Sequence, residues 1–454
     1  MEAVLSVLAP IFWGALVLSA LVFVHEGGHF LAARACGVRV TEFFLGFPCR
    51  FNIHHVSRRI GTKFGVTPVL VGGYAAICGM EPEECPDAPA VLARVHRRGT
   101  VTVAELSVEL GIDEERALDA CAALVSWGSI APVYDEAAGE REASGYLPST
   151  FAAMPRDAAG NTVYDGRAFV REGATEHGGA WEPAMGERAF YEAERSRTYM
   201  GKGFWARAAM LLAGIFVNIV TGFIIMVFSY SVLGTQITVD RNQVGTVDAG
   251  SPAEEAGLVA GDTVVSIDGV ATDSWTGIVE ALDGASEGQR VEVAYERDDV
   301  AGTAEVTLGA GGKMGITAPA ETMRLSPVDS VRVTCDMVAG TAQGVLQLLQ
   351  PQHTMEVLQS SSSVVGISVM SAEAAASGPA TLLNFAALIS FSLAFMNLLP
   401  IPPLDGGKLL IEVIQAVTRK TVPTRVQNGI SYVGFGLFML LFVFMLRQDI
   451  LRLL

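Results

Sequence analysis

The sequence predicts a polytopic α-helical membrane protein that carries soluble modules. Two observations predict it: a low share of charge, and four long apolar stretches with no charge at all. Half of the 454 residues are hydrophobic and 17% are charged, against about 25% charged in soluble domains. Mean hydropathy is +0.40. Residues 3–24, 208–239, 374–404 and 426–446 contain no Asp, Glu, Lys or Arg. Each is long enough to cross a bilayer, which takes about 20 apolar residues. Such a chain is not a disordered tail, and an all-soluble enzyme does not fit it. The net charge of −17 lacks the basic face of nucleic-acid proteins. Six cysteines without regular spacing make no disulfide framework.

Taken in order, residues 1–33 form the first span. It has no basic leader, its apolar run is longer than the about 7–15 residues of a signal peptide, and no small-x-small cleavage site ends it. It is therefore expected to be retained. It ends in His25-Glu26-Gly27-Gly28-His29. Residues four apart share a helix face, so the two imidazoles can grip one metal ion. The Glu between them is placed to take a proton from water and pass it to a leaving amine. Two nitrogens and a carboxylate, with an open fourth position, suit zinc. An ionisable group inside a membrane costs about 2.5–3.5 kcal/mol even on permissive scales and is functional by default. The bland alternative is a polar helix end bonded to lipid head groups. Gly27 and Gly28 each weaken a helix by about 1 kcal/mol relative to Ala, so close packing against another helix is expected there.

Residues 34–80 read as a hairpin: an extended run over 50–56, a turn over 58–61, a second run over 64–71, then Gly72-Gly73-Tyr74. On these residues alone it suits an ordinary amphipathic cytoplasmic hairpin. Residues 81–200 are an insert. Its part 88–135 alternates helices with a terminal strand in a pattern like a winged helix, and Asp113 with Arg116 opens a helix as an N-cap should. Residues 134–200 read as irregular, with no role to assign. The second span lies in 204–236 and carries Asn218.

Residues 238–320 contain Gly250-Ser251-Pro252-Ala253, where Ser-Pro starts a short helix, and Gly261-Asp262-Thr263, where Gly-Asp turns into the next strand. This segment resembles a bacterial PDZ domain. PDZ grooves add a peptide strand and can capture a terminal carboxylate. Lys313-Met314-Gly315-Ile316 sits where the permuted bacterial form places its binding loop. A size filter that binds no peptide is the alternative. Residues 321–373 are a linker, within which 331–349 reads as an amphipathic helix on the outer surface.

Residues 374–425 hold the third span and a cytoplasmic loop. The span ends Asn397-Leu398-Leu399-Pro400-Ile401-Pro402-Pro403-Leu404-Asp405-Gly406-Gly407. Three prolines in four residues break the helix, and unwound backbone at membrane depth needs a protein-lined or wet site. Asp405 follows the break and is a ready carboxylate ligand, or alternatively a helix-capping Asp. Asn397 is an amide donor for a substrate carbonyl or oxyanion, or alternatively an interhelical hydrogen-bond partner. Residues 426–454 form the fourth span.

His25-Glu26-x-x-His29 and Leu404-Asp405-Gly406 with Asn397 upstream together resemble the site-2 protease family of intramembrane zinc metalloproteases. The resemblance covers most of the chain. It implies that His25, His29 and Asp405 hold Zn2+, that Glu26 is the catalytic general base, and that Asn397 assists the substrate. Asn218 matches a family position near the site, with simple packing as its alternative. Lys408 stands where relatives often have His, which is not expected to matter. Residues 34–80 become a membrane-reentrant β-hairpin whose edge, with Gly72, Gly73 and Tyr74, pairs with an unwound substrate. The implied partners are single-span membrane proteins, anti-sigma factors or signal-peptide remnants among them, together with membrane lipid and a PDZ peptide ligand. No nucleic acid is expected.

The fold class is then four transmembrane helices, a membrane-reentrant β-hairpin, a cytoplasmic winged-helix-like insert and an extracytoplasmic PDZ domain. Orientation follows the positive-inside rule. Arg34, Arg39, Arg50, Arg58, Arg59 and Lys63 follow span one against a single Glu42; Lys202 and Arg207 precede span two; Lys408, Arg419, Lys420 and Arg425 lie between spans three and four. Those flanks, and the insert, are expected inside. Both termini and residues 238–370 are expected outside. The alternative of a different class is a catalytically silent membrane-tethered adaptor. Glu26 argues against it, because a scaffold needs no base.

Overall fold

A computed structural model describes residues 2–49, 51–70, 72–80, 85–135, 137, 139–140, 147–348, 350, 352, 362–420 and 422–453. The chain divides into two units, Met1–Met226 with Thr334–Leu454, and Val227–Val333. Four helices are long and apolar enough to cross a membrane, over Leu8–Ala35, Phe204–Leu233, Pro379–Leu398 and Arg425–Leu451.

The first unit opens with helix α1, Glu2–Ala35. The helix runs on well past Val24, so His25, Glu26 and His29 lie inside it rather than at its end. One of the two glycines is explained by packing. A Cβ on Gly28 would lie 2.6 Å from the Ala213 carbonyl oxygen and 2.9 Å from Gly214 Cα, on a helix that crosses at this point. Gly27 meets nothing within 4 Å, so the expectation of a tight contact holds for Gly28 alone.

Strands β1 (Val40–Leu45), β2 (Ile53–Val56), β3 (Lys63–Val66) and β4 (Gly73–Ile77) follow. They form one four-stranded sheet in the order β2-β3-β1-β4. The expected two-stranded hairpin corresponds to the antiparallel pair β2–β3. Beyond it, β1 runs parallel to β3 and antiparallel to β4. β1 escapes sequence reading because Phe43 and Phe44 are adjacent and both buried, which destroys the period-two signal of a half-buried strand. Arg50 and Val71, at the ends of the expected runs, lie outside the described residues. The Phe43 ring meets Phe23 and Phe30 of α1 at 5.1 and 5.4 Å and Phe64 of β3 at 5.8 Å. These contacts fix the sheet against the helix that carries the histidines. β4 pairs only with β1 among the described strands, so one of its edges is free.

The insert comprises α2 (Ala88–Arg98), β5 (Thr100–Thr102), α3 (Val103–Leu110), α4 (Glu114–Ser126), β6 (Ile130–Val133) and β7 (Thr150–Ala153), with sheet order β5-β7-β6. Residues 134–200, expected irregular, supply the central strand β7, helix α5 (Glu187–Arg195) and the buried Phe151 and Phe190 of the core. The boundary at 135 therefore cuts through one folded unit. Asp113 occupies the N-cap position of α4 but makes no side-chain cap, and Arg116 pairs with Asp87 at 2.8 Å instead. The capping box lies at α3, where Thr102 Oγ1 accepts from Glu105 N and the Glu105 carboxylate accepts from Thr102 N. The Thr-x-x-Glu spacing is its sequence signature.

Helix α6 (Phe204–Phe228) buries Met210, Gly214, Asn218 and Gly222 at four-residue spacing, one stripe of a helix face. In the second unit β8 (Thr235–Thr238), β9 (Thr246–Val247), α7 (Pro252–Glu255), β10 (Thr263–Ile267), β11 (Val270–Ala271), α8 (Trp275–Ala281), β12 (Arg290–Arg297), β13 (Val300–Thr307), β14 (Ile316–Thr317) and β15 (Ala320–Met323) follow in turn. The main sheet is β11-β10-β12-β13, with pairs β14-β9 and β15-β8 beside it. Its core gathers Val244, Leu258, Val264, Ile267, Val293 and Met314. Ser251 caps α7, its Oγ accepting from Glu254 N, and Gly261-Asp262 leads into β10, where the sequence places that turn. Helix α9 covers Pro327–Gln347; Leu349, the end of the expected amphipathic helix, lies outside the described residues.

Back in the first unit, the third apolar stretch forms helix α11 (Pro379–Leu398), and a separate shorter helix, α10 (Val364–Ala376), precedes it, mostly within the expected linker. Gly378, at a φ of +116°, and Pro379 separate them. Helix α11 packs on α6, with the Ser390 hydroxyl donating to the Asn218 carbonyl at 2.8 Å. After the proline break α12 starts at Asp405 and runs to Thr418, and α13 spans Thr424–Leu453.

Candidate metal centre

Two elements bring three donors together. His25 and His29 stand one turn apart on α1, and Asp405 is the first residue of α12. The Asp405 Oδ2 atom lies 3.1 Å from His25 Nε2 and 3.1 Å from His29 Nε2, and the two Nε2 atoms are 3.2 Å apart. His25 and His29 are buried, and Asp405 is half-buried. Among the described residues the group stops at these three.

The other ring nitrogens have partners of their own. His29 Nδ1 donates to the Met210 carbonyl of α6 at 2.8 Å. His25 Nδ1 lies 3.4 Å from the Asn218 amide, whose Oδ1 is buried without a partner. A half-turn of that amide brings Oδ1 to face His25 Nδ1 and ends its isolation, since amide oxygen and nitrogen exchange places freely on shape. Both imidazoles are then held in the Nδ1–H tautomer, with their Nε2 lone pairs aimed at Asp405. Histidine ligands are fixed in this way by outer hydrogen bonds, so the donor set fits a zinc ion. A Cβ on Gly214 would lie 2.8 Å from His25 Cε1. Only glycine lets α6 come this close to the pair.

Glu26 lies in a cavity of about 100 Å³ beside this group, lined also by His29, Ala75, Ile77, Tyr199 and Asp405. Ala75 and Ile77 belong to β4, so a sheet edge forms one wall. Gly73 stands next to Glu26: a Cβ there would reach Glu26 Cγ at 3.7 Å. Gly72 donates no side chain; its carbonyl accepts from Gly46 N at 2.7 Å. The Tyr74 hydroxyl donates to Glu42 at 2.6 Å and its ring stacks on Phe44. Asn218 is fully buried against His25, whereas Asn397, on the last turn of α11, is not among the described residues lining the cavity.

Sequence reasoning missed several wall residues. Lys408, set aside at first, lines the cavity with Glu26; its place three residues after Asp405 on α12 is the signal that could have found it. Tyr199 closes the far side. Its backbone N donates to Cys78 O at 2.8 Å, and its hydroxyl donates to the buried Glu412, which also pairs with Arg207 at 3.1 Å. No local pattern announces a tyrosine at the end of an irregular insert.

The profile of Peptidase family M50 matches residues 13–441. The chain belongs to that family. It is similar to the regulator of sigma-W protease RasP of Bacillus subtilis, 28% identical over 96% of this chain and 97% of that one. It is likewise 28% identical to the zinc metalloprotease RasP of Geobacillus kaustophilus, over 96% of each chain. Among solved structures, the PDZ domain of the SdrC-like protein from Listeria monocytogenes is 29% identical over 18% of this chain and 93% of that one, with a TM-score of 0.16. The family member described here is a zinc-dependent metalloprotease of the membrane.

Proposed function

We propose that His25, His29 and Asp405 hold the zinc and that Glu26 is the general base of an intramembrane endopeptidase acting on single-span proteins. One observation carries this reading: three donor atoms converge within 3.1–3.2 Å of one another beside Glu26, on a helix apolar enough to span a bilayer. When bound, zinc supplies Lewis-acid polarisation of an amide carbonyl and of the attacking water. Glu26 takes the proton from that water at its carboxylate and delivers it to the leaving amine. Asn218 and the Met210 carbonyl keep the imidazoles oriented. The free edge of β4 offers backbone groups to an unwound substrate, with Gly73 leaving room beside Glu26 and Gly72 and Tyr74 shaping the strand's start. Asn397 assists the substrate only if the chain end of α11 turns toward it when peptide binds.

The sheet is read as the membrane-reentrant segment, the insert as cytoplasmic, and both termini and residues 238–320 as extracytoplasmic. Charge flanks support this orientation. Single cysteines at Glu172 and Glu280, both exposed, in a cysteine-free background should label oppositely with an impermeant maleimide on intact cells. Equal labelling contradicts the orientation.

Residues 238–320 are read as a PDZ domain that screens substrates by the size of their outer domain. Deleting 240–318 should permit cleavage of a substrate that still carries that domain. A deletion variant that cuts only the trimmed substrate removes the filter role.

The insert's helix and strand order, α2-β5-α3-α4-β6-β7, supports the winged-helix reading. Its charges oppose nucleic acid. Arg94 and Arg98 pair with Glu109, Arg97 with Glu182 and Glu187, and Arg116 with Asp87. Asp113, Glu114 and Glu115 crowd the start of α4, where phosphate would have to sit. The insert is proposed to dock protein near the β4 edge. The full-length protein should show no salt-dependent DNA binding in a fluorescence-anisotropy titration; micromolar affinity that falls steeply with salt overturns this.

The substrate class is tested by membrane proteomics of cells carrying wild type or Glu26→Gln. Single-span proteins, anti-sigma factors among the candidates, should accumulate as trimmed fragments only with the variant. Identical membrane proteomes would remove the proposed substrate class.

A further inference from the structure

Where α1 ends, a second polar centre joins the sheet to the insert. Arg39 and Arg156 are essentially inaccessible, at 1% and 0% exposure. Both donate to the buried Glu194 at 2.7 Å, and Arg39 and Arg197 donate to Asp165 at 2.8 and 2.9 Å. Arg34, in the last turn of α1, donates to a carbonyl, that of Tyr164, and has no carboxylate partner among the described residues. The Lys202 ammonium stands 3.6 Å from where a Cβ on Gly37 would lie, and it too meets no carboxylate among the described residues. Asp157, also buried, gives its oxygens to the backbone N–H groups of Ala159, Asn161 and Val170. His96, which accepts from Arg156 Nε, stays neutral, its pKa pushed down to about 3 by burial and by that guanidinium.

Five cations thus face three carboxylates. The imbalance gathers at a partly open cavity of about 220 Å³, lined by Arg34, Gly37, Arg39, Asn161, Asp165 and Arg197, with Arg34, Arg197 and Lys202 half-buried. Uncompensated charge in such a place is costly. Burial, and then the neighbouring guanidinium groups, holds Arg197 and Lys202 below their ordinary proton affinity. A doubly charged oxyanion would match the excess, and guanidinium forks pair with phosphate oxygens two at a time.

We propose that this cavity binds a phosphate-bearing anion, gripped by Arg34 and Arg197 with Lys202 at its Gly37 side. Its walls come from the end of α1, the insert and the segment just before α6. Occupancy therefore clamps together the two helices that carry His25, His29 and Asn218 and the insert that carries Tyr199. The same chemistry has two sources, a free phosphate compound or the head group of an anionic lipid.

The test uses the full-length zinc-loaded protein. Thermal unfolding is followed with inorganic phosphate, with sodium chloride at matched ionic strength, and in nanodiscs of phosphatidylcholine with or without phosphatidylglycerol. The proposal expects a saturable rise in midpoint that chloride does not reproduce. Arg34→Gln and Lys202→Gln should each weaken the apparent affinity about tenfold, the loss of one charge-assisted contact, and Arg34→Lys should retain part of it. Lys202→Gln touches none of the buried ion pairs, so it still reports if Arg34→Gln fails to fold. Stabilisation by phosphate alone assigns a free phosphate compound; stabilisation by phosphatidylglycerol, lost in both glutamine variants, assigns a lipid head group. No stabilisation from either source, an equal effect of chloride, or full stabilisation in both glutamine variants overturns the site.

Discussion

Glu26→Gln should lower the cleavage rate by about ten-thousand-fold, the upper range for loss of a positioned acid–base group, while the protein keeps its zinc. The side chain stands beside the metal donors without being one of them, since the converging atoms belong to His25, His29 and Asp405. Gln keeps the shape of Glu and stays neutral, so it can neither take the proton of the attacking water nor return it to the leaving amine. Folding should be unharmed, because removing a half-buried charge from a wet cavity relieves a desolvation cost. Metal analysis and a cleavage assay on the same preparation check both halves. An active variant, or one that has lost zinc, would move Glu26 out of the role assigned to it.

Asp405→Ala and His29→Ala should each lose both zinc and activity. Three protein donors are the usual minimum for a catalytic zinc site, and two donors hold the ion too weakly to survive purification. Asp405 is also the first residue of α12, where a carboxylate stabilises the helix by about 0.3–1 kcal/mol. A purely structural Asp405 would therefore cost a little stability and leave the metal in place. Asp405→Asn separates the cases, because it retains the hydrogen-bonding shape and removes the charge that favours the cation. Full zinc occupancy in Asp405→Ala and His29→Ala would remove these residues from the metal site.

The donors were legible because each sits in a pattern with a physical reason. The spacing of His25 and His29 follows from the helix repeat, and Asp405 follows a proline run that must end a helix. Their mutual distance was not legible, since it depends on α6. That helix approaches α1 only because Gly28 and Gly214 face each other, and nothing in either segment alone says so. β1 was hidden by burial on both faces. The central strand β7 of the insert was hidden by its distance in sequence from β5 and β6, and the Arg39–Glu194 pair by a separation of 155 residues. Lys408 and Tyr199 became visible only as cavity walls. Patterns within one element survive in the sequence; contacts between elements do not.

The central claim is that the bond broken lies inside the membrane, at the His25–His29–Asp405 cluster. It is tested most directly by mapping the cut in a trimmed single-span substrate co-reconstituted in lipid vesicles with the zinc-loaded enzyme. Mass spectrometry should place the new terminus within the substrate's apolar span with wild type, and find no product with Glu26→Gln. A terminus in a water-exposed segment, or the same product at the same rate from Glu26→Gln, would contradict the account.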